Sequence, residues 1–144
     1  MGASGWIRFV PHDPDPTVAL RAAQHATFEE GAYYAPPELA SLEPGTTEPI
    51  DARIRALLMR CAEEGTHSVL DFHRIGDTPG YGVAASLTDD DLTHLFGTTQ
   101  PTRAQVTEKQ DALIQHRRRG MASYVVVYDG DQPSEIAFAG ISGD

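Results

Sequence analysis

Cysteine is almost absent from the chain, since Cys61 is the only one among 144 residues. A lone cysteine excludes an internal disulfide framework and is typical of proteins from a reducing compartment. Long apolar runs are also absent, and none approaches the roughly 20 residues that a membrane span requires. The first residues lack the basic and apolar segments of a signal peptide. We therefore expect a cytoplasmic protein that does not associate with a membrane.

Positive charge is scarce. Lysine and arginine together number 11 against 21 aspartates and glutamates, which leaves a formal net charge of -10. Nucleic acids and anionic membrane surfaces attract basic proteins, so this charge argues against both as partners. An acidic surface attracts a basic protein or a cationic ligand. The expected partner is therefore a basic protein, with a small molecule as the alternative.

Catalytic and cofactor-binding motifs are weak or missing. The segment Gly80–Ala85 matches the letters of a dinucleotide-binding fingerprint, in which glycines open a helix directly after a strand. Pro79 precedes this segment and the next predicted helix starts only at Thr88, so we reject that interpretation. Neither a Gly-x-Ser-x-Gly elbow nor a Cys–His pattern supports covalent catalysis. No residues have the spacing of a three-ligand metal site, and we expect neither a metal nor a cofactor.

The chain does contain a readable succession of helices and strands. Their predicted order is β-α-loop-α-β-β-α-α-β-β, which groups the elements instead of alternating them strictly. A turn at Asp129–Gly130 predicts a C-terminal β-hairpin and hence antiparallel pairing. We predict a single α+β domain over residues 1–144. Its sheet has four or five mostly antiparallel strands, with about four helices on one face.

Helix starts are the best marked positions in the sequence, because capping residues precede them. The predicted starts are Asp15 followed by Pro16, Thr88 paired with Asp91, and Thr102 paired with Gln105. The strongest apolar stripe lies in residues 49–64, where Leu58 is expected in the core. The last helix is predicted to reach Arg119, so that the basic segment His116–Arg119 forms its final turn.

The stretch Thr66–Ile75 is rich in β-branched and aromatic residues and is predicted to be a strand. Because side chains alternate along a strand, His67, Asp71 and His73 are expected on one face. At about 3.3 Å per residue, His67 is about 20 Å from His73, too far to share an ion. Asp71 is close enough to His73 to orient its imidazole. These two are the candidate catalytic residues if the chain is an enzyme.

Two loops rich in glycine and proline provide the candidate binding residues. Residues Gly31–Glu48 form a long connection, and such connections tend to be functional. The second loop, Gly76–Gly82, follows the predicted Thr66–Ile75 strand. Tyrosines on such loops offer large contact areas, and acids beside them would steer a basic partner. The candidate binding residues are Tyr33, Tyr34, Glu38, Glu43, Arg74 and Tyr81.

The acidic charge and the weak catalytic motifs favour a protein-binding domain of the inhibitor, immunity or regulatory type. In this interpretation the Tyr- and Pro-rich loop docks a basic partner. The alternative is a small enzyme or small-molecule-binding protein, in which Asp71 and His73 act next to the three loop tyrosines. The basic segment His116–Arg119 is a third candidate location, for an anion or a partner.

Overall fold

The computed structural model describes residues 5–35, 48–62 and 65–142. These residues form five strands, five α-helices and one 3-10 turn, which together make one α+β domain, as predicted. In chain order they are β1 (Gly5–Pro11), α1 (Pro16–Glu30), α2 (Ile50–Arg60), the 3-10 turn (Val69–Asp71), β2 (Arg74–Gly76), β3 (Val83–Ser86), α3 (Asp89–Phe96), α4 (Arg103–Glu108), α5 (Gln110–Ile114), β4 (Ala122–Asp129) and β5 (Gln132–Ile141).

The strands form one sheet in the order β1-β5-β4-β3-β2. β5 pairs antiparallel with β1 and with β4, and the predicted β4–β5 hairpin is confirmed, with Gly130 in its turn at a φ of +66°. β3 is parallel to both β2 and β4, so the sheet is mixed, whereas the sequence predicted a mostly antiparallel one. The helices between β3 and β4 provide the crossover that parallel pairing requires. β2 has only three residues, so the short connection 77–82 is enough to return the chain.

The prediction of a strand over Thr66–Ile75 is wrong for most of that segment. His67 has a φ of +53°, which no strand residue adopts, and β2 begins only at Arg74. Local hydrogen bonds replace the strand: Thr66 donates its backbone N–H to Asp71 Oδ1 at 2.7 Å and its hydroxyl to the same oxygen at 2.8 Å. Ser68 Oγ accepts from Leu70 N at 3.2 Å. Side chains of this kind compete with a sheet ladder for backbone donors, and here they fold the segment into the 3-10 turn.

Helices cover both faces of the sheet, whereas the sequence predicted them on one. The reason lies in β4, whose alternating side chains are apolar on both sides. One face packs against α1 and the 3-10 turn through Val10, Ala19, Leu20, Ala23, Val69, Phe72, Ala84, Ala122, Ile136 and Phe138. The other packs against α3, α4 and α5 through Phe96, Val106, Leu113, Val125, Val127, Ala137 and Ala139. Two cores therefore enclose the central strands.

The predicted helix starts are confirmed. Asp15 accepts from Thr17 N at 2.9 Å, and the Thr88–Asp91 and Thr102–Gln105 pairs both form complete capping boxes. The prediction of one continuous helix reaching Arg119 is wrong beyond its first turns. It breaks at Lys109 into α4 and α5 and ends at Ile114, so that His116–Arg119 lie in a turn and not in a helix. Among the described helices, none has the length and apolar character needed to cross a membrane.

An ion-pair cluster joins α1 to the start of α2. The Nε2 atom of His25 is 2.8 Å from Asp51 Oδ1, and the Nη1 atom of Arg21 is 3.6 Å from the same oxygen. The hydrogen bond with His25 is the largest cause that brings the pKa of Asp51 below its ordinary value, with Arg21 adding to it. A carboxylate whose pKa is lowered by folding stabilises the native state while it is ionised.

We therefore expect Asp51→Asn to change how stability depends on acid. The contribution of Asp51 is present above its unfolded pKa of 3.8 and is lost as the pH falls through its lower folded value. Asp51→Asn should lower the melting temperature at pH 6 and leave it close to wild type well below pH 3.8. Thermal unfolding across this pH range checks it, with Asp111→Asn as the control, because Asp111 is exposed and forms no ion pair in the described residues. An equal loss at every pH would contradict the expectation.

Leu58 is only half-buried, so the core position predicted for it is wrong, and Leu113 is a better probe because it is 1% exposed. Leu113→Ala should lower the free energy of unfolding by about 2–5 kcal/mol, as for a buried leucine. Thr88→Ala, which removes one cap, should lower it by only about 1 kcal/mol. Urea unfolding measures both, and a larger loss for Thr88→Ala would show that the second core is misplaced.

Candidate functional site

Backbone hydrogen bonds extend the sheet beyond the first residues of β2, β3 and β4. Gly120 donates its N–H to the Ile141 carbonyl at 2.7 Å, and Gly82 donates to the Gly120 carbonyl at 2.8 Å. His73 in turn donates to the Gly82 carbonyl at 2.8 Å. We call these three bonds the glycine ladder. It fixes the spacing between the chain segments that enter the three parallel strands.

An aromatic ring packs directly against the backbone of each of the two ladder glycines. Gly82 and Gly120 have φ values of +73° and +82°, in the left-handed region that favours glycine. A Cβ atom on Gly82 would overlap the His73 ring, and one on Gly120 would overlap the Tyr81 ring. Tyr81 is therefore packed on one side by Gly120 although 72% of the residue is exposed. This arrangement holds an exposed aromatic side chain on a rigid base.

A cleft of about 420 Å³ lies where the loop before β3 meets the turn before β4. Its lining residues are Pro79, Gln115, His116, Arg117, Arg118 and Met121. The structure thus brings the predicted Gly76–Gly82 loop next to the predicted basic segment His116–Arg119. The sequence analysis proposed the two as separate locations.

Arg117 is the best-fixed cation of this cleft. Its Nε donates to Ser123 Oγ at 2.9 Å, and its Nη2 donates to the Ser86 carbonyl at 2.9 Å. Burial lowers the pKa of Arg117, while the nearby charge of Asp91 raises it. The guanidinium is held in one orientation across the ends of β3 and β4. This role could not be found in the sequence, because Ser86 lies 31 residues from Arg117 and no local pattern links the two.

His116 and Asp91 connect the cleft to the first turn of α3. Their Nε2 and Oδ2 atoms are 3.6 Å apart. Burial by itself would raise the pKa of Asp91, but hydrogen bonds from the Thr88 backbone and hydroxyl, with His116 and Arg117 nearby, lower it overall. Asp91 is thus an ionised carboxylate that both caps α3 and neutralises part of the basic turn.

Asp71 and His73, the predicted acid–base pair, do not share a strand face, because the strand on which they were placed is absent. Asp71 Oδ1 is engaged by Thr66, and its Oδ2 faces Gly65. His73 is exposed, with its ring over Gly82. No hydrogen bond joins the two residues in the described chain, so the geometric reason for their acid–base role is lost. Arg74 follows them as the exposed first residue of β2.

The tyrosines of the first loop are anchored by contacts of their own. Tyr33 stacks on Phe28 of α1, with ring centroids 5.9 Å apart and planes within 3°. Tyr34 donates its backbone N–H to the Thr66 carbonyl at 2.7 Å, and its ring meets the edge of His67 at 5.0 Å. Tyr34 remains 43% exposed. The predicted binding residues Glu38 and Glu43 lie outside the described residues.

The anchored Tyr34 and the basic cleft belong to different faces of the sheet. Thr66, which holds Tyr34, leads into the 3-10 turn, which packs with α1 in the first core. Arg117 binds Ser123, whose side chain is on the same side of β4 as Val125 and Val127 and therefore faces the second core. Tyr34 and Arg117 therefore lie on opposite faces of the sheet.

Histidine, cysteine and carboxylate side chains do not gather in groups of three or more with metal-binding geometry anywhere in the described part of the chain. No family model, curated protein or solved structure matches the chain.

The packing of Tyr81 on Gly120 predicts a specific pattern of substitution effects. Gly97→Ala should destabilise the protein by about 1–2 kcal/mol, the usual penalty of a left-handed alanine, because its surroundings are open. Gly120→Ala should be more destabilising. It incurs the same left-handed backbone penalty, and the added Cβ atom also collides with the Tyr81 ring.

In a Tyr81→Ala background the collision disappears, and Gly120→Ala should then resemble Gly97→Ala. Chemical unfolding of the single and double variants measures this coupling. If the effect of Gly120→Ala is the same with and without the Tyr81 ring, the packing described here is incorrect.

Proposed function

We propose that this chain is an acidic protein-binding domain that docks a basic partner protein through the tyrosines that follow α1. The observation that carries the proposal is the exposed Tyr34 ring on a backbone hydrogen-bonded to Thr66. The formal net charge of -10 supports a basic partner. The proposed type remains an inhibitor, immunity or regulatory protein, and the proposed compartment is the cytoplasm.

Anchoring makes Tyr34 suited to recognition. A protein interface loses free energy when flexible side chains become ordered, and tyrosine has few rotatable bonds to order. The hydrogen bond to Thr66 and the edge contact with His67 already restrict Tyr34 in the free protein. Its neighbour Tyr33 is held against Phe28 and extends the aromatic surface. Aromatic side chains that become buried on binding provide much of the binding energy in known interfaces.

Acidic residues next to these tyrosines give the proposed surface its charge. Glu29 is exposed at the end of α1, whereas the charge of Glu30 is balanced by Arg8 of β1 and Arg53 lies over the Phe28 ring. Glu38 and Glu43 follow in the sequence and remain proposed contacts. Negative charge around a docking surface steers a basic protein toward it and raises the association rate at low salt.

The enzyme alternative is less well supported, because Asp71 and His73 do not form the predicted acid–base pair in the structure. Asp71 stabilises the Thr66–Asp71 segment, since both the backbone and the hydroxyl of Thr66 donate to it. His73 is part of the glycine ladder. Both residues therefore have structural roles that account for their positions.

The test has two stages. Affinity capture from the source cell, followed by mass spectrometry, identifies a partner, which we expect to be basic. Binding of the purified pair is then measured by surface plasmon resonance. Tyr34→Ala should weaken binding about tenfold or more, in the range of a hot-spot truncation. Glu29→Gln should slow association and reduce its dependence on salt.

Met59→Ala is the matched control, because Met59 is 80% exposed on α2 and its truncation also removes a large exposed side chain. It should bind like the wild type, and circular dichroism confirms that each variant is folded. Tyr81→Ala tests whether the docking surface also includes the second loop. An acidic partner, or full binding by Tyr34→Ala, would contradict the proposal.

A further inference from the structure

We propose that the cleft between the 77–82 loop and the 115–121 turn binds a small organic anion, a carboxylate or a phosphate monoester with an apolar body. This site is separate from the proposed docking surface. Arg117 faces the second core, whereas Tyr34 is held by Thr66, which leads into the 3-10 turn of the first core. The proposal does not depend on the protein-binding function.

The first argument is the concentration of positive charge. The chain has 11 lysines and arginines in all, and two of these arginines line this one cleft together with His116. Arg118 is exposed, and its side chain has no ion pair or hydrogen bond in the described residues. A cleft lined by charges of one sign raises the local concentration of ions of the opposite sign.

The second argument is the orientation of Arg117. Ser123 and Ser86 use its Nε and Nη2 atoms, while Nη1 has no partner among the described residues. A guanidinium fixed in this way presents its remaining donors in one direction, as recognition of a carboxylate or phosphate requires. Partial burial lowers the pKa of Arg117, and a bound anion would oppose that effect.

The third argument is the size and mixed chemistry of the cleft. Its volume of about 420 Å³ lies in the range of small-molecule sites, roughly 300–1,000 Å³. Pro79 and Met121 provide apolar surface beside the cations, and Gln115 adds an amide. Apolar walls with a few fixed polar groups are typical of ligand sites, and here they select an anion that also has an apolar part.

Within residues 5–35, 48–62 and 65–142, the carboxylate that approaches this cleft is Asp91, whose Oδ2 is 3.6 Å from His116 Nε2. Its oxygens are also engaged by Thr88 in the capping box of α3. Asp91 therefore balances part of the charge of Arg117, and Arg118 remains for a ligand. The variant that tests the site is accordingly Arg118→Gln, which leaves the Arg117 hydrogen bonds intact.

The experiment is a titration of the intact chain with four probes, followed by amide chemical shifts in NMR and by calorimetry. The probes are phenyl phosphate, benzoate, inorganic phosphate and benzyl alcohol. Phenyl phosphate or benzoate, or both, should bind saturably and shift the amides of residues 79–82 and 115–121. The stronger of the two identifies the anion class. Benzyl alcohol, which lacks the charge, should bind about tenfold more weakly or not at all, as expected for a lost charge-assisted contact.

Arg118→Gln should weaken binding of the stronger aromatic anion about tenfold, whereas Arg55→Gln, the same charge change on exposed α2, should leave it unchanged. The proposal is overturned if neither aromatic anion saturates by about 10 mM, or if Arg55→Gln weakens binding as much as Arg118→Gln. Equal binding of phenyl phosphate and inorganic phosphate would overturn the apolar part of the site, and equal binding of benzyl alcohol would overturn the anionic part.

Discussion

The two hydrogen bonds of Gly120 are the constraint on which the rest of the candidate surface depends. Its N–H reaches the end of β5 at Ile141, and its carbonyl accepts from Gly82 before β3. A side chain is disfavoured there by the φ of +82° and by the Tyr81 ring, which occupies the space that a Cβ would need. Gly120 thus adds a further backbone link between the end of β5 and the segment before β3, beside the β4–β5 and β3–β4 pairing. The position of Tyr81 and of the turn that carries Arg117 and Arg118 follows from it.

The mixed sheet places two chemistries on opposite faces. α1 and the 3-10 turn cover one face and hold the Tyr34 surface, next to exposed acids at the end of α1. α3, α4 and α5 cover the other, and Arg117 spans the ends of β3 and β4 on that side. A protein with a strongly negative net charge thereby keeps one basic cleft apart from its acidic surface. This separation would allow a basic protein and a small anion to bind the same domain without competing, if both proposals are correct.

Local sequence patterns predicted local structure well. They failed where contacts between residues distant in the chain determine the structure. Asp15, Thr88 and Thr102 predicted helix starts, because a cap depends on residues within one turn. The Asp129–Gly130 turn likewise predicted the C-terminal hairpin, because the turn is set by neighbouring residues. The stretch 66–75 has strand composition, yet Thr66, Ser68 and Asp71 satisfy one another locally and the strand does not form. The cleft was beyond prediction from sequence, since Arg117 meets Ser86 and Asp91 only after β3, α3 and β4 have assembled.

The most direct test of this account is amide hydrogen exchange at Gly82 and Gly120, measured residue by residue in NMR under native conditions. Neither glycine belongs to a strand, and both donate within the glycine ladder. The account predicts that both amides exchange nearly as slowly as those in the middle of β4, because opening them requires separating the hairpin from the parallel strands. Exchange at the rate of an unprotected peptide at either glycine would show that the ladder is absent, and with it the fixed base of Tyr81 and of the cleft.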